Sequence, residues 1–381
     1  MRRASLACIY ELAKQDERVL FLGSDLGAGV LDDMKQEMPD RWFMEGVAEQ
    51  HIIGMAAGLA MEGFVPYVNT IATFLTRRCF EQVAVDLCLH NLSVRLVGNG
   101  GGLVYAPLGP THQAIEDIAI MRSIPNMTVV APCDADEMER LMVQTLDWYG
   151  PIYIRVAKGG DRVISSNESN FLIGRGIIMR DPGEVLFVST GIMTQRTLEA
   201  AALLENQGIS SGVLHLHTIK PIDQQLLAKI VSDVELVVTV EEHVLTGGIG
   251  SAVLETLHDS SDALNGSLPK VLRLGIPDSF SNRYGSQDSL LDFLGLSVEG
   301  IVESVTRNIT THPEGIGALR RIDFISIFKE RGSGRAVPLT RNTVMPWVAY
   351  AGMTDQDLGA IWAFLQTVPP QPTSQPVDYD F

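Results

Sequence analysis

Short apolar runs rich in β-branched residues alternate with longer helical stretches along most of the chain. Within residues 2–155 the apolar runs are RVLFLGS, FVPYV, LSVRLVG, MTVVAP and PIYIRVA, and segments such as 73–91 and 135–149 separate them. Strands that alternate with helices of this length predict βαβ units and a parallel sheet that is covered on both faces. Residues 1–160 are therefore predicted to form a doubly wound α/β domain.

A second set of alternating segments follows a break in this rhythm. The break contains the turn-rich stretch KGGDRVISSNESN, which predicts a linker over residues 161–184. Beyond it, the runs EVLFVSTG, SSGVLHLHT, VELVVTVEE and LPKVLRLGI predict a second doubly wound α/β domain over residues 185–309. The predicted fold class is thus two α/β domains with largely parallel sheets, followed by a short helical and Pro-rich C-terminal tail over residues 310–381.

The bulk composition excludes several classes of protein. The 381 residues are 46% hydrophobic and 20% charged, which is typical of a globular protein. The net charge of -17 argues against a nucleic-acid partner, since phosphate contacts need clustered Lys and Arg. No apolar run is long enough to span a membrane and the start of the chain does not resemble a signal peptide, so we expect a cytoplasmic protein. The four cysteines show no CxxC or CxxCH spacing, so we expect no metal site and no covalent haem in this chain.

Four polar segments of the first domain lie at or near the ends of predicted strands, where an open parallel sheet binds its ligands. They are GSDLGAG with Asp25, GVAEQH with Glu49 and His51, IATFLTRR with Phe74 and Arg77, and GNGGGLVYAPLGPTHQ with His112. Each signal is weak by itself. An acid in a first helical turn is favoured by the exposed amides alone, Phe74 suits an ordinary core position, and His112 suits a cap or a packing role.

The combination and order of these segments are more specific than the parts. The stretch from Glu49 through TIATFLTRRCFEQVAVDL to GLVYAPLGPTHQAIEDIAIMRSIPNMTVVAPCD resembles the pyrimidine-binding domain of transketolase and of 1-deoxyxylulose-5-phosphate synthase, which use thiamine diphosphate. The second domain, with TVEEHVLTGGIGSAV, resembles the C-terminal domain of the same family. The resemblance covers roughly residues 1–308 and is a poor guide to the substrate.

The resemblance implies roles in cofactor binding for three residues. Glu49 would be the carboxylate that hydrogen-bonds the ring nitrogen of the cofactor's aminopyrimidine and so promotes its imino tautomer, an interaction that apolar walls strengthen. Phe74 would stack on the pyrimidine ring. Asp25 is assigned to cofactor binding on the same basis.

The resemblance also implies roles in substrate binding. His112 is matched to a catalytic histidine that contacts the oxygen atoms of the donor, while Arg77 and Arg155 are matched to positions that bind an anionic tail. The alternative for both arginines is a surface or interdomain ion pair. His51 adjoins the catalytic acid and is assigned to the substrate side, although packing beside that acid explains it equally well.

The sequence departs from the family pattern at two places in the site. Leu108 stands where the transketolases have an acid before the Thr-His-Gln segment, which puts recognition of a usual sugar phosphate in doubt. The chain also contains no Gly-Asp-Gly segment of the kind that holds Mg²⁺ and the diphosphate. The resemblance therefore implies a separate N-terminal transketolase subunit that supplies the diphosphate site, with this chain as a homodimer within an α2β2 assembly.

The tail carries a different resemblance. NTVMPWVAYAGMTDQDLGAIWAFLQTVPP is similar to the C-terminal end of a class of c-type cytochromes, in which the methionine at the position of Met345 is an axial haem ligand. Because the attachment motif is missing, we expect no haem.

Three functions remain open from the sequence. The first is a transketolase-like transferase subunit that moves a two-carbon ketol unit between sugars with a partner chain. The second is the beta subunit of a 2-oxo acid dehydrogenase, which shares both domains, although TFLTRRCFEQ and GPTHQ favour transketolase. The third is a non-catalytic assembly subunit.

Overall fold

The computed structural model describes most of the chain up to residue 309 and a short piece beyond it. The described residues are 1–24, 26, 29–157, 159–167, 170–232, 234–260, 268–309, 354 and 356–358. The chain forms two compact units, Met1–Ile301 and Val302–Phe381. Within the described part, no helix combines the length and the apolar character needed to cross a membrane.

In the described residues of the first unit, seven strands form one sheet in the order β10-β5-β6-β4-β3-β1-β2. Their bounds are β1 (Val19–Gly23), β2 (Trp42–Met44), β3 (Val65–Ile71), β4 (Arg95–Asn99), β5 (Thr128–Val130), β6 (Ile152–Val156) and β10 (Thr218–Lys220). The neighbours from β5 to β2 run parallel, whereas β10 pairs antiparallel with β5.

Five further strands of the described residues form a second sheet in the order β12-β11-β8-β9-β7. Their bounds are β7 (Ile177–Arg180), β8 (Val185–Ser189), β9 (Ser211–His215), β11 (Leu236–Val244) and β12 (Lys270–Ile276). β7 pairs antiparallel with β9, and the other pairs are parallel. The predicted α/β class with two largely parallel sheets is confirmed.

Helices connect most of the consecutive strands. Their bounds are α1 (Arg2–Gln15), α2 (Asp32–Glu37), α3 (Glu49–Met61), α4 (Phe80–Gln82), α5 (Asp117–Ser123), α6 (Ala135–Thr145), α7 (Met193–Asn206), α8 (Gln224–Ile230), α9 (Ile249–Asp259), α10 (Gln287–Phe293) and α11 (Val298–Asn308). Two π-helical turns, Phe74–Arg78 and Val83–Cys88, flank α4. A 3-10 turn covers Ala106–Leu108.

Successive side chains of a strand point to opposite sides of the sheet. In the first sheet both sides are buried, so each face packs against its own core cluster. Leu20 and Leu22 of β1 belong to the core cluster that also contains Ile52 and Ile53 of α3. Val19 and Phe21 belong to a second cluster, which includes residues of α1 and α6. Burial of one side chain of this size contributes about 1.5–3 kcal/mol, so the apolar face of α3 fixes the start of that helix against the sheet.

Two strands lie outside the predicted domain pattern. β7 falls within the predicted linker, residues 161–184, and pairs with β9 of the second sheet. β10 falls within the predicted second domain and extends the first sheet. The domain boundaries given above stay a prediction.

The second unit is described only in part. Its residues 302–308 continue α11, and Thr354 and Asp357 form reciprocal hydrogen bonds of 3.1 Å between the backbone nitrogen of each and the side chain of the other. This pattern caps a helical turn at 356–358, within the predicted helical and Pro-rich tail. Met345 lies outside the described residues.

Candidate functional site

The candidate residues of the first domain lie at one edge of the first sheet. In the parallel register Gly23 is opposite both Met44 and Asn69, and Ile71 is opposite Asn99. The segments that follow β1, β2, β3 and β4 therefore leave the same edge, where open α/β sheets bind ligands. Asp25, which follows β1, lies outside the described residues.

Glu49 is the first residue of α3, and its side chain is 2% exposed. A negative charge is favoured at this helix end by the unpaired amides of the first turn. Arg78 donates a hydrogen bond from Nη1 to Oε2 of Glu49, and 44% of the Arg78 side chain is exposed. The acid of the candidate site is thus buried, with a positive charge at its outer side.

Arg78 links Glu49 to the aromatic part of the site. Its guanidinium carbon lies 4.3 Å from the centroid of the Phe74 ring. Phe74 in turn meets the ring of His112 edge to face, with centroids 5.3 Å apart. Phe74 and Arg78 are the first and last residues of one π-helical turn, a distortion that is frequent at functional sites. The segments that carry Glu49, Phe74 and His112 therefore lie together at this edge of the sheet.

His51 and Leu108 lie at the surface of this chain. His51 is an exposed residue of α3, and its position two residues after Glu49 directs it to a different face of the helix. Leu108 is 53% exposed at the end of a 3-10 turn. The next residue, Gly109, packs so closely on Tyr284 that an added Cβ would lie 2.8 Å from the ring. A loop of the second domain therefore borders the segment that carries His112.

Arg77 holds the loop of His112 in place. It donates to both carboxylate oxygens of Glu116, to the carbonyl of Pro110 at 3.1 Å and to the carbonyl of Gln113 at 2.8 Å. These bonds fix the backbone on both sides of His112. The ion pair named above as the alternative for Arg77 is present, and binding of an anionic substrate by this residue stays a prediction.

Arg155 lies in the buried contact between the two domains. Its side chain is 8% exposed and donates to Asp117 Oδ2 at 2.9 Å, to the carbonyl of Ala114 at 3.1 Å and to the carbonyl of Glu242 at 2.9 Å. The ion pair with Asp117 lies within the first domain, and the hydrogen bond to the carbonyl of Glu242 crosses to the second domain. Binding of an anionic tail by Arg155 also stays a prediction.

Glu45, which no sequence motif indicated, is a second buried acid of the candidate site. The side chain of Glu45 is 6% exposed, and burial together with the nearby Glu49 carboxylate raises its pKa to about 7. The loop between the two acids contains Gly46 and Val47, with φ values of 67° and 58°. Left-handed backbone at a β-branched residue is unusual and occurs mainly where a functional site requires it. Two acids around a turn between a strand and a helix were the available signal.

Several buried polar atoms at this edge have no hydrogen-bond partner among the described residues. They are Nδ2 of Asn69, Oγ1 of Thr73, Oδ1 of Asn99, and both Oε1 and Nε2 of Gln113. Buried polar atoms are nearly always paired in folded proteins, so this group indicates a polar ligand. A buried carboxylate, a half-buried aromatic ring and unpaired amides fit an aminopyrimidine, which is flat and carries both donors and acceptors.

Comparisons with known proteins agree with this geometry. Residues 1–160 match the family described as "Transketolase, pyrimidine binding domain", and residues 174–301 match "Transketolase, C-terminal domain". The chain is 36% identical over 308 residues to a "Putative transketolase C-terminal section" of Methanocaldococcus jannaschii, which covers 80% of this chain and 95% of that protein. It is 35% identical over 305 residues to the "6-deoxy-6-sulfo-D-fructose transketolase subunit SqwH" of Clostridium sp., covering 80% of this chain and 92% of the relative.

A solved structure shows the same fold. The structure described as "Split gene transketolase, inactive beta4 tetramer" aligns with a TM-score of 0.74 and 34% sequence identity, over 82% of this chain and 98% of that one. Sequence identity and fold therefore agree over the same part of the chain, and this protein belongs to the transketolase family, within which it corresponds to the C-terminal section.

Proposed function

We propose that this chain is the pyrimidine-binding subunit of a split, thiamine diphosphate-dependent transketolase that transfers a two-carbon ketol unit between sugars or sugar phosphates. The observation that carries the proposal is the buried Glu49 at the start of α3, joined through Arg78 to the Phe74 and His112 rings. Membership of a transferase family supports the reaction type.

In this proposal, Glu49, Phe74 and His112 have different roles in binding the cofactor and the substrate. Thiamine diphosphate, when bound, supplies the nucleophilic carbon that takes up the ketol unit. Glu49 would hydrogen-bond the pyrimidine nitrogen from a buried position, where such a bond is strengthened by the low local dielectric. Phe74 would pack on the ring, and the imidazole of His112 would hydrogen-bond the donor's oxygen atoms.

The position expected to recognise a hydroxyl group of the acceptor sugar carries an apolar residue in this chain. Leu108 offers an apolar side chain, 53% exposed, in the loop that carries His112. An apolar group cannot hydrogen-bond a sugar hydroxyl, so position 108 would contribute no discrimination between acceptors that differ in the orientation of that hydroxyl.

The cofactor's charged end requires a second chain in this proposal. Mg²⁺ and the diphosphate need hard oxygen ligands, and the family's Gly-Asp-Gly segment does not occur in this sequence. An N-terminal transketolase subunit would supply that segment, with two copies of each chain in an α2β2 assembly. The names of the relatives, a C-terminal section and a split-gene transketolase, support a divided enzyme.

A calorimetric titration with thiamine diphosphate and Mg²⁺ tests the proposal. The chain is titrated alone and mixed with a chain that carries Gly-Asp-Gly and a downstream Asn. Binding in the mixture alone supports a site shared between the chains, and Glu49→Gln then weakens it. Glu62→Gln, at the exposed C-terminal end of the same helix, is the matched control and leaves the affinity unchanged. The absence of binding in both titrations contradicts the proposal.

A further inference from the structure

Two acidic side chains lie buried together in the loop that leads into α3. Glu45 is 6% exposed and Glu49 is 2% exposed. The backbone nitrogen of Glu45 donates to the carbonyl of Gly23 at 2.6 Å, which fixes the residue against the end of β1. Burial and the nearby Glu49 carboxylate raise the pKa of the Glu45 carboxyl group, and the hydroxyl of Thr70 lowers it. Oε2 of Glu45 has no hydrogen-bond partner within the described part of the chain.

Three groups from neighbouring segments surround this pair of acids, and one of them is charged. Arg78, from the π-helical turn, supplies one positive charge, and its hydrogen bond goes to Glu49. Cys79, next along the chain, is a buried thiol; burial and the Glu49 carboxylate raise its pKa to about 12, so it stays neutral. Thr70 of β3 contributes only a hydroxyl group. One guanidinium therefore faces two carboxyl groups.

Two ionised carboxylates at this position would leave one buried negative charge without compensation. An uncompensated charge has a high desolvation energy in a buried place. Two adjacent carboxyl groups lower this energy when one of them stays protonated. The pKa of Glu45, raised to about 7 by burial and by Glu49, agrees with a proton that stays at neutral pH.

We propose that Glu45 and Glu49 share one proton, which makes Glu45 the positioning residue that sets the protonation of the acid facing the cofactor. The transfer is balanced within the pair: the O–H bond of Glu45 breaks as that of Glu49 forms, and the negative charge moves from Glu49 to Glu45. A protonated Glu49 donates a hydrogen bond to a ring nitrogen, which a carboxylate cannot do. The mechanistic role rests on the proposed function, whereas the shared proton does not.

Infrared difference spectroscopy of the purified chain tests the shared proton without cofactor or partner. The carbonyl stretch of protonated carboxyl groups is followed from about pH 5 to about pH 9. The wild-type chain is expected to show a band that disappears with a midpoint near 7. Both Glu45→Gln and Glu49→Gln remove it. If the band with its midpoint near 7 survives in either variant, the proposal is overturned.

A matched control comes from the second domain. Glu241 is 1% exposed, and burial raises its pKa to about 8, so it contributes its own protonated carboxyl band. Glu241→Gln is expected to remove that band and to keep the one assigned to the pair. Glu45→Asp keeps a carboxyl group at position 45, so it should show the titrating carboxyl band that Glu45→Gln lacks. If Glu45→Asp folds and shows no such band, the proposal is overturned.

A second measurement addresses the role toward the cofactor. In the mixture with the partner chain, the pH dependence of thiamine diphosphate affinity is compared for the wild type and Glu45→Gln. The variant is expected to lose the transition near 7, while an unchanged profile overturns the positioning role. If the wild-type mixture binds no cofactor at any pH, the proposed function fails, and the infrared result still decides whether the proton is shared.

Discussion

Arg78 donates a hydrogen bond to Glu49, so the acid of the candidate site is already engaged by a cation of its own chain. The two side chains differ in exposure, at 44% for Arg78 and 2% for Glu49. Water can solvate the exposed arginine but not the buried carboxylate. Removal of the arginine therefore leaves a negative charge at Glu49 that neither water nor a cation compensates. A ligand that hydrogen-bonds Glu49 must share it with Arg78 or displace that side chain.

Arg78→Met tests this relationship, because it removes the charge and keeps an unbranched apolar stem. We expect the free energy of unfolding to fall by about 1–3 kcal/mol, a value limited by the exposure of the arginine. Urea unfolding at neutral pH measures the change. Arg3→Met, on an exposed position of α1, is the control and should stay within about 0.5 kcal/mol of the wild type.

A double-mutant cycle separates the pair from general effects of the substitution. In a Glu49→Gln background the same Arg78→Met change should cost less, since no buried charge remains to be compensated. An equal cost in both backgrounds contradicts the coupling between the two residues.

Glu45 makes stability depend on pH in a defined direction. Its pKa is raised from 4.5 to about 7 in the folded chain, so the folded state binds more protons than the unfolded state between these values. Stability from this group is therefore lost as the pH rises through that window, by at most about 3 kcal/mol. Glu45→Gln removes the penalty, and its advantage over the wild type in thermal or urea unfolding should grow from about pH 5 to about pH 8. An advantage that does not change with pH would rule out a raised pKa at Glu45.

The alternation of apolar runs and helical segments was enough to predict two parallel α/β sheets. The same pattern did not reveal β10, because a three-residue strand carries little periodicity and its position at the sheet edge depends on a partner far away in the chain. β7 was missed for a related reason, since its residues follow a turn-rich stretch that indicates a loop.

For the candidate site, the sequence motifs indicated individual residues but not their partners in the fold. Glu49, Phe74 and His112 were identified and lie together, but the partners of Arg77 and Arg155 could not be read from the sequence. Arg77 pairs with an acid 39 positions away, and the contacts of Arg155 include a carbonyl 87 positions away in another domain. Tertiary packing decides such pairs, and no local spacing encodes them.

The buried pair of Glu137 and His215 joins α6 of the first domain to β9 of the second, and we expect it to be a main determinant of stability. His215 Nε2 lies 2.9 Å from Glu137 Oε2, and both side chains are fully buried. Burial alone would raise the pKa of Glu137, yet His215 and the amide of Cys133 lower it to about 2. His215→Gln should reduce the free energy of unfolding by about 3–5 kcal/mol, because it removes the imidazole that pairs with a buried carboxylate.

The control for this change is His258→Gln, at an exposed position in the last turn of α9. It should alter stability by less than about 1 kcal/mol. The lowered pKa of Glu137 stabilises the folded state above pH 4.5, and this contribution is lost as the pH falls toward 2. The free energy of unfolding of the wild type should therefore approach that of His215→Gln in acid. A difference in stability between the two proteins that is constant with pH would exclude the lowered pKa of Glu137 as its cause.

Gly102 lies where the His112 segment meets the second domain, and it leaves no room for a side chain. Its φ is 68°, and an added Cβ would lie 2.4 Å from Cδ of Glu242. Glu242 in turn accepts hydrogen bonds from the amide of Leu103 at 2.9 Å and from Gln287 at 2.7 Å. Gly102→Ala should therefore strain the backbone and move Glu242, at a cost of about 1–3 kcal/mol.

Gly54→Ala on α3 is the matched control for the same chemical change. Gly54 is exposed in the helix, and among the described residues nothing lies within 4 Å of its added Cβ. Alanine favours a helix over glycine, so this variant should gain about 0.5–1 kcal/mol in urea unfolding of the chain alone. Opposite signs for the two substitutions establish that the backbone conformation and the contact with Glu242 require glycine at position 102. Equal effects would show that the close approach at Gly102 does not constrain the loop that leads to His112.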